Sequence, residues 1–154
     1  MIAEFEQLEH DEAELMYALP IYVSILIAGA DGTIDSSEIK KAVSLSGLKT
    51  LKARKELLDY YHLVNQDYED KFKMTIANLP SGTKEREKVL IEKISQVNDI
   101  FPKIDKAFSI KLYASIKDVA KHIAEASGGV FGYMSVGYEE SKLLDLKMIK
   151  NPGK

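Results

Sequence analysis

Ile27-Ala28-Gly29-Ala30-Asp31-Gly32-Thr33-Ile34-Asp35-Ser36-Ser37-Glu38 closes one apolar helix and opens the next, and half of it returns near the C-terminus as Ile123-Ala124-Glu125-Ala126-Ser127-Gly128. In both places an apolar run ends at a glycine. A second helix then begins with an aliphatic residue four positions before a glutamate, Ile34 and Glu38 in the first copy, Val136 and Glu140 in the second. Two related helical hairpins are the simplest architecture that repeats in this way. The first copy crowds Asp31, Asp35 and Glu38 into eight residues, whereas Ser127 and Gly137 stand where the two aspartates would recur. Only the first copy carries the full acidic set.

Working outward, helical periodicity covers nearly the whole chain. Leu15, Leu19, Val23, Leu26 and Ala30 recur at helical spacing between Glu12 and Ala30, and Ile21, Ile25 and Ile27 make the second half apolar on almost every side. That pattern predicts a central, buried helix, begun or kinked by Pro20. Asp35 as N-cap and Glu38 as its capping-box partner, with Ile34 and Ile39 as a hydrophobic staple, predict a second helix to about Ser46. A third runs from about Thr50 to Gln66 on Leu57, Leu58, Tyr61 and Val64. A fourth, from about Asp67 on Phe72, Ile76 and Leu79, is stopped by Pro80-Ser81-Gly82. Thr83 is placed to cap a fifth, with Val89, Leu90, Ile94, Val97 and Phe101 inward. The sixth, Lys103 to Ser127, carries the stripe Ile104, Phe108, Leu112, Ile116, Val119 and Ile123. After the loop Val130 to Gly137, a last helix is expected over Tyr138 to Ile149. The fold class is therefore all-α, a bundle of about seven helices.

A chain of 154 residues with 45% hydrophobic content suits one core, so a single domain is expected over 1–154, with residues 1–11 as a flexible arm and 151–154 as a flexible tail. A net charge of -3 argues against a surface that tracks nucleic acid throughout. Charge is unevenly distributed. Residues 1–39 hold nine acids and no Lys or Arg, whereas residues 40–55 hold six basic residues and no acid. The acidic part is thus expected to lie across the basic one, or each to face a partner of opposite sign, unless both are ordinary solvated faces. With no cysteine there is no disulfide, thiolate metal site or cysteine nucleophile. Met1 to Glu14 is acidic where a signal peptide is basic and then apolar, and the longest apolar run, Ala18 to Ala30, is shorter than a bilayer span. No transmembrane segment and a cytoplasmic location are expected.

The pattern apolar-Ala-x-Ala-Asp-Gly-x-Ile-Asp-x-x-Glu at Ile27 to Glu38, with its weaker second occurrence before Glu140, resembles the TerB-like (tellurite resistance TerB) family of small helical domains. The resemblance implies an all-helical fold of two hairpin-like halves and acidic residues that bind divalent metal. It also implies association with bacterial stress, phage-defence or membrane-linked complexes. It implies no established enzymatic activity for the core domain. The sequence departs from a symmetric pattern at Ser127 and by six extra residues between Gly128 and Glu140, which weakens any scheme with two metal sites.

The acidic turn matches the last eight positions of an EF-hand, but Ile27 and Gly29 would then fill ligand positions without a side-chain oxygen, so an EF-hand proper is rejected. Capping accounts for Asp31, Asp35 and Glu38 without a metal. The functional reading of the same residues is a hard cation, Ca2+ or Mg2+, held by Asp31, Asp35 and Glu38 if Glu140 approaches from the second hairpin. His10, His62 and His122 lack zinc spacing, and no phosphate loop, nucleophile elbow or triad order is present. Phe131, Tyr133 and Met134, set among glycines, either cover the core or form a contact surface. Lys49, Lys52, Arg54 and Lys55 form a basic patch without interleaved aromatics, a poor match to single-strand binding. What the resemblance chiefly implies is a non-catalytic protein-interaction module with other proteins as partners, and the loop aromatics would suit a homodimer. The alternatives are a metal-dependent hydrolase using Asp31, Asp35 and Glu38, or a nucleic-acid accessory protein acting through residues 40–55.

Overall fold

In the computed structural model, which describes residues 2–28, 55–127 and 145–154, helix α1 (His10–Ala28) is the axis of the structure. From Leu19 onward its sequence is apolar on all sides. Leu19, Ile21, Val23, Ile25 and Ile27 are each fully buried although successive members of that series point almost opposite ways round the helix. Burial on every side requires neighbours on every side. α1 accordingly packs against α2 (Lys55–Gln66), α3 (Tyr68–Asn78), α4 (Thr83–Ser95), the single turn α5 (Val97–Ile100) and α6 (Lys106–Ser127). Each such side chain contributes about 1.5–3 kcal/mol through burial. Among the described residues all regular structure is helical, with five helices of eleven residues or more rather than the seven expected. The expected second helix and most of the last one fall outside the described residues.

Pro20 lies inside α1 and does not begin it. Its missing N–H leaves the Met16 carbonyl without a helical donor, and the Tyr60 hydroxyl, fully buried on α2, donates to that oxygen at 2.5 Å. One turn later Ser24 Oγ donates to the Pro20 carbonyl at 2.6 Å, so this buried hydroxyl is satisfied too. At the N-terminus of α1, Glu12 Oε1 accepts from the Glu9 backbone N–H at 3.0 Å, one half of a capping box.

The stripe on α2 is Leu57, Tyr60, Tyr61 and Val64, spaced as one helical face. Leu58, expected inside, is 38% exposed, and Tyr60 takes its place. Counting aliphatic side chains ahead of tyrosine misreads this face, because a phenol ring is a large apolar body whose hydroxyl needs only one partner. The Tyr61 hydroxyl finds its partner in Ser115 of α6, at 2.5 Å. α3 buries Tyr68 and Phe72 and ends as Leu79 turns extended ahead of Pro80. Gly82, not Thr83, is the N-cap of α4, and Thr83 is its first helical residue.

α6 begins three residues later than the periodicity predicts. Phe101–Lys103 forms a 3-10 turn, Ile104 is extended, and Asp105 caps the helix by accepting from the Phe108 N–H at 2.9 Å. Ile104 still reaches the core, joining Phe108, Leu112, Ile116, Val119 and Ile123 as expected.

Two terminal segments differ from expectation. The arm expected to be flexible is docked: Ile2, Phe5 and Leu8 are buried, and the Phe5 ring meets Tyr17, Tyr60 and Phe108 edge-on at 5.2, 6.0 and 5.7 Å. The Ile2 N–H donates to the Tyr17 hydroxyl at 2.9 Å, and Gln7 Nε2 to the Lys103 carbonyl at 2.7 Å. The segment holds because three apolar side chains spaced three apart can all face one aromatic floor. At the other end, residues 145–149 are turn, not the end of a helix. Leu146 adopts φ 47° while fully buried, and Asn98 clamps the chain by donating to the Met148 carbonyl at 2.8 Å and accepting from the Lys150 N–H at 2.7 Å.

Candidate functional site

The acidic set Asp31, Asp35, Glu38 and Glu140 lies outside the described residues, as do Phe131, Tyr133, Met134, Lys49, Lys52 and Arg54. Lys55 opens α2, but its side chain is likewise outside them. What the structure does place is the start of each repeat copy. Ile27 and Ala28 at the end of α1, and Ile123 and Ala124 in the last turns of α6, are all buried. Among the described residues no group of three or more His, Asp or Glu side chains could hold a metal ion. His10 is exposed and pairs with Glu14 one turn along, Nε2 to Oε1 at 3.1 Å.

The described residues form a different candidate. The N-terminal half of α1 and the outer face of α3 border an open groove of about 790 Å³, with Leu63 of α2 and Lys93 of α4 also lining it. Its position follows from local sequence. Before Leu19, α1 changes from apolar on all sides to amphipathic, with Met16 and Ala13 inward and His10, Asp11, Glu14, Leu15 and Ala18 on the groove side. On α3 the burial of Tyr68 and Phe72, one turn apart, fixes the rotation of the helix. It turns two rows of i,i+4 neighbours, Asp67-Lys71-Thr75 and Asp70-Met74-Asn78, toward the groove.

Two lysines frame the floor. Lys71 Nζ sits 5.6 Å from the centroid of the Tyr17 ring, and Lys93 Nζ sits 5.8 Å from that of Tyr22. The two tyrosines are five residues apart on α1, about 7.5 Å along its axis. Burial pushes both phenol pKa values above the ordinary tyrosine value, so both rings are neutral and present an electron-rich face to an ammonium group. Thr75 Oγ1 donates to the Lys71 carbonyl at 2.6 Å, which engages its hydroxyl within the helix. The most exposed large apolar side chain among the described residues, Met74 at 64%, projects at this groove.

The groove combines apolar side chains, two lysines lying over aromatic rings, and exposed carboxylates at Asp11, Glu14, Asp67 and Asp70. The sequence offered one signal for it, the paired i,i+4 rows of α3 carrying an outward Met74. Nothing in the sequence sets that face opposite Tyr17 and Tyr22, which are about fifty residues away. Compared with known proteins, the chain matches no protein-family model, no curated protein and no solved structure.

Proposed function

We infer that the chain is a non-catalytic protein-interaction module of the TerB-like kind, serving assemblies formed in bacterial stress or defence, membrane-linked ones included. The observation that carries the reading is the open groove between α1 and α3, whose floor is apolar and whose charged groups stand on the rim rather than converging on one point. A reaction centre needs acid, base or nucleophile within hydrogen-bond reach of one reacting atom. A contact surface needs exposed apolar anchors inside a polar border, and Met74 within its ring of charges meets that need. The family part of the reading rests on the pattern at Ile27 to Glu38. Oxygen ligands at Asp31, Asp35, Glu38 and Glu140 suit one Ca2+ or Mg2+ ion, which would tie the two hairpins together.

Affinity capture from a bacterial host with wild-type protein and a Met74→Asp variant tests the module. A retained protein that the variant loses supports it, and identical capture by both removes the groove from the function. The ion is tested separately by calorimetry with calcium and magnesium. Binding should disappear in Asp31→Asn, and the melting temperature of the wild-type protein should rise with the bound ion. An absence of heat at millimolar metal removes the ion while leaving the module intact.

A further inference from the structure

We propose that the α1–α3 groove receives a cationic amphipathic helix of a partner protein, with apolar side chains on the floor and Lys or Arg against the rim. The inference rests on the interaction-module reading and adds the chemistry of the partner. Three features of the groove select that guest.

The first is the backbone. Both long walls are α-helices, whose peptide groups are already paired along the helix, so the groove offers no free edge to which an extended peptide could add as a strand. Specific contact must come through side chains, as in the docking of a helix into a groove. The second is length. The α3 wall runs from Asp67 to Leu79, about 18 Å at the helical rise, which matches three turns of a guest helix. Ala18 on the opposite wall lets a guest approach closely, while Met74 supplies an adaptable apolar anchor.

The third is charge. All four carboxylates of the lining, Asp11, Glu14, Asp67 and Asp70, are exposed. Against them the lining sets two ammonium groups, Lys71 over Tyr17 and Lys93 over Tyr22, while the His10 ring faces Glu14 at 3.1 Å. Four carboxylates against two ammonium groups leave the lining net negative, and Glu4, near enough to Tyr17 to help raise its phenol pKa, adds to that sign. An acidic or neutral helix would gain no attraction from this rim, whereas a helix with Lys or Arg flanking its apolar stripe would be steered and held.

The probe is a synthetic helix of about fourteen residues, long enough to fill the groove, with Leu at i, i+3, i+4 and i+7 and Lys elsewhere. Its counterpart carries Glu in place of Lys. Binding is followed by fluorescence anisotropy on the full chain. The Lys peptide should bind at least about tenfold tighter than the Glu peptide, and Glu14→Lys with Asp70→Lys should weaken it by about tenfold or more. Both substituted positions are exposed, and Glu14→Gln with Asp70→Asn provides a milder pair if the charge reversals disturb folding. Met74→Asp separates a seated helix from unspecific attraction between opposite charges. It should weaken binding if Met74 is an anchor, and would tighten it if only net charge mattered.

Equal affinity for the two peptides, or binding indifferent to both Glu14/Asp70 variants and to Met74→Asp, would overturn the proposal. So would a dimer of the free chain that Glu14→Lys with Asp70→Lys dissociates, since a second copy would then be the occupant. If the peptides fail while the host partner is still lost from Met74→Asp, the module stands with a different guest. If the wild-type chain also captures no partner, the module reading fails as well.

Discussion

At the scale of single residues, Pro20 and Tyr60 act as one unit. Proline inside α1 leaves a buried carbonyl at Met16, and the phenol of Tyr60, 44 residues further along the chain, replaces the missing N–H donor. Tyr60→Phe keeps the ring and strands that oxygen, so it should lower stability by about 1–3 kcal/mol, the desolvation penalty of an unsatisfied buried acceptor. Pro20→Ala supplies an amide at the site of the missing donor. In that background the loss of the hydroxyl should cost much less, leaving a coupling of about 1 kcal/mol or more between the two positions. Denaturant titration of the four proteins checks this, and strictly additive losses would show that the Met16 carbonyl does not link them. Half of the pair was legible in the sequence. A proline within an apolar helix announces a carbonyl in need, but nothing local says which distant hydroxyl will serve it.

At the scale of elements, the start of a helix depends on which side chain caps it. Asp105 accepts from the Phe108 N–H and sets the start of α6, while Thr83 lies one residue past its cap and makes no capping hydrogen bond. Asp105→Ala should therefore cost about 0.5–2 kcal/mol, and Thr83→Ala should be near neutral or slightly stabilising because alanine is the better helix former. Thermal melts of the two variants decide the matter, and equal losses would mean that capping does not set the α6 boundary. The same contrast explains what could be read in advance. The interior stripe of α6 was evident, since Phe108, Leu112, Ile116, Val119 and Ile123 repeat at helical steps and all five are buried. The boundary was misplaced because Pro102 and Asp105 both mark a start, and the side-chain cap prevailed over the proline. The docking of the N-terminal arm is hard to read because its apolar residues are interleaved with acids. Ile2, Phe5 and Leu8 lie three residues apart, matching one face of a tight turn, and that period was hidden among Glu4, Glu6 and Glu9.

At the scale of the whole molecule, the aromatic residues join segments that are far apart in sequence. Phe5 from the arm, Tyr17 from α1, Tyr60 and Tyr61 from α2 and Phe108 from α6 form one continuous cluster of ring contacts. The groove likewise joins distant segments, α1 and α3 being about fifty residues apart in sequence, and so it could not be read from either helix alone. The cluster also sets a limit on the alkaline side. Burial raises the pKa of Tyr60 and Tyr61, more than the Ser115 hydrogen bond lowers that of Tyr61, so both phenols stay neutral in the folded state at a pH where they ionise in the unfolded chain. Groups with a raised folded pKa stabilise fully below the unfolded value, here 10.0, and lose that contribution as pH rises above it. Two such groups act together, so the folded state loses stability steadily as pH rises beyond that value. Lys103, whose pKa is raised chiefly by its hydrogen bond to Glu12 at 2.6 Å, contributes in the same direction. The protein should therefore unfold cooperatively in alkali above about pH 10, with loss of helical circular dichroism coinciding with the late fraction of tyrosinate absorbance. Tyr61→Phe removes one of the late phenols, which also include Tyr60 and Tyr68, and should move that transition to higher pH once its lower neutral stability is allowed for. Complete titration of all eight tyrosines near pH 10 with helicity intact would show instead that the aromatic cluster is open to hydroxide in the folded state.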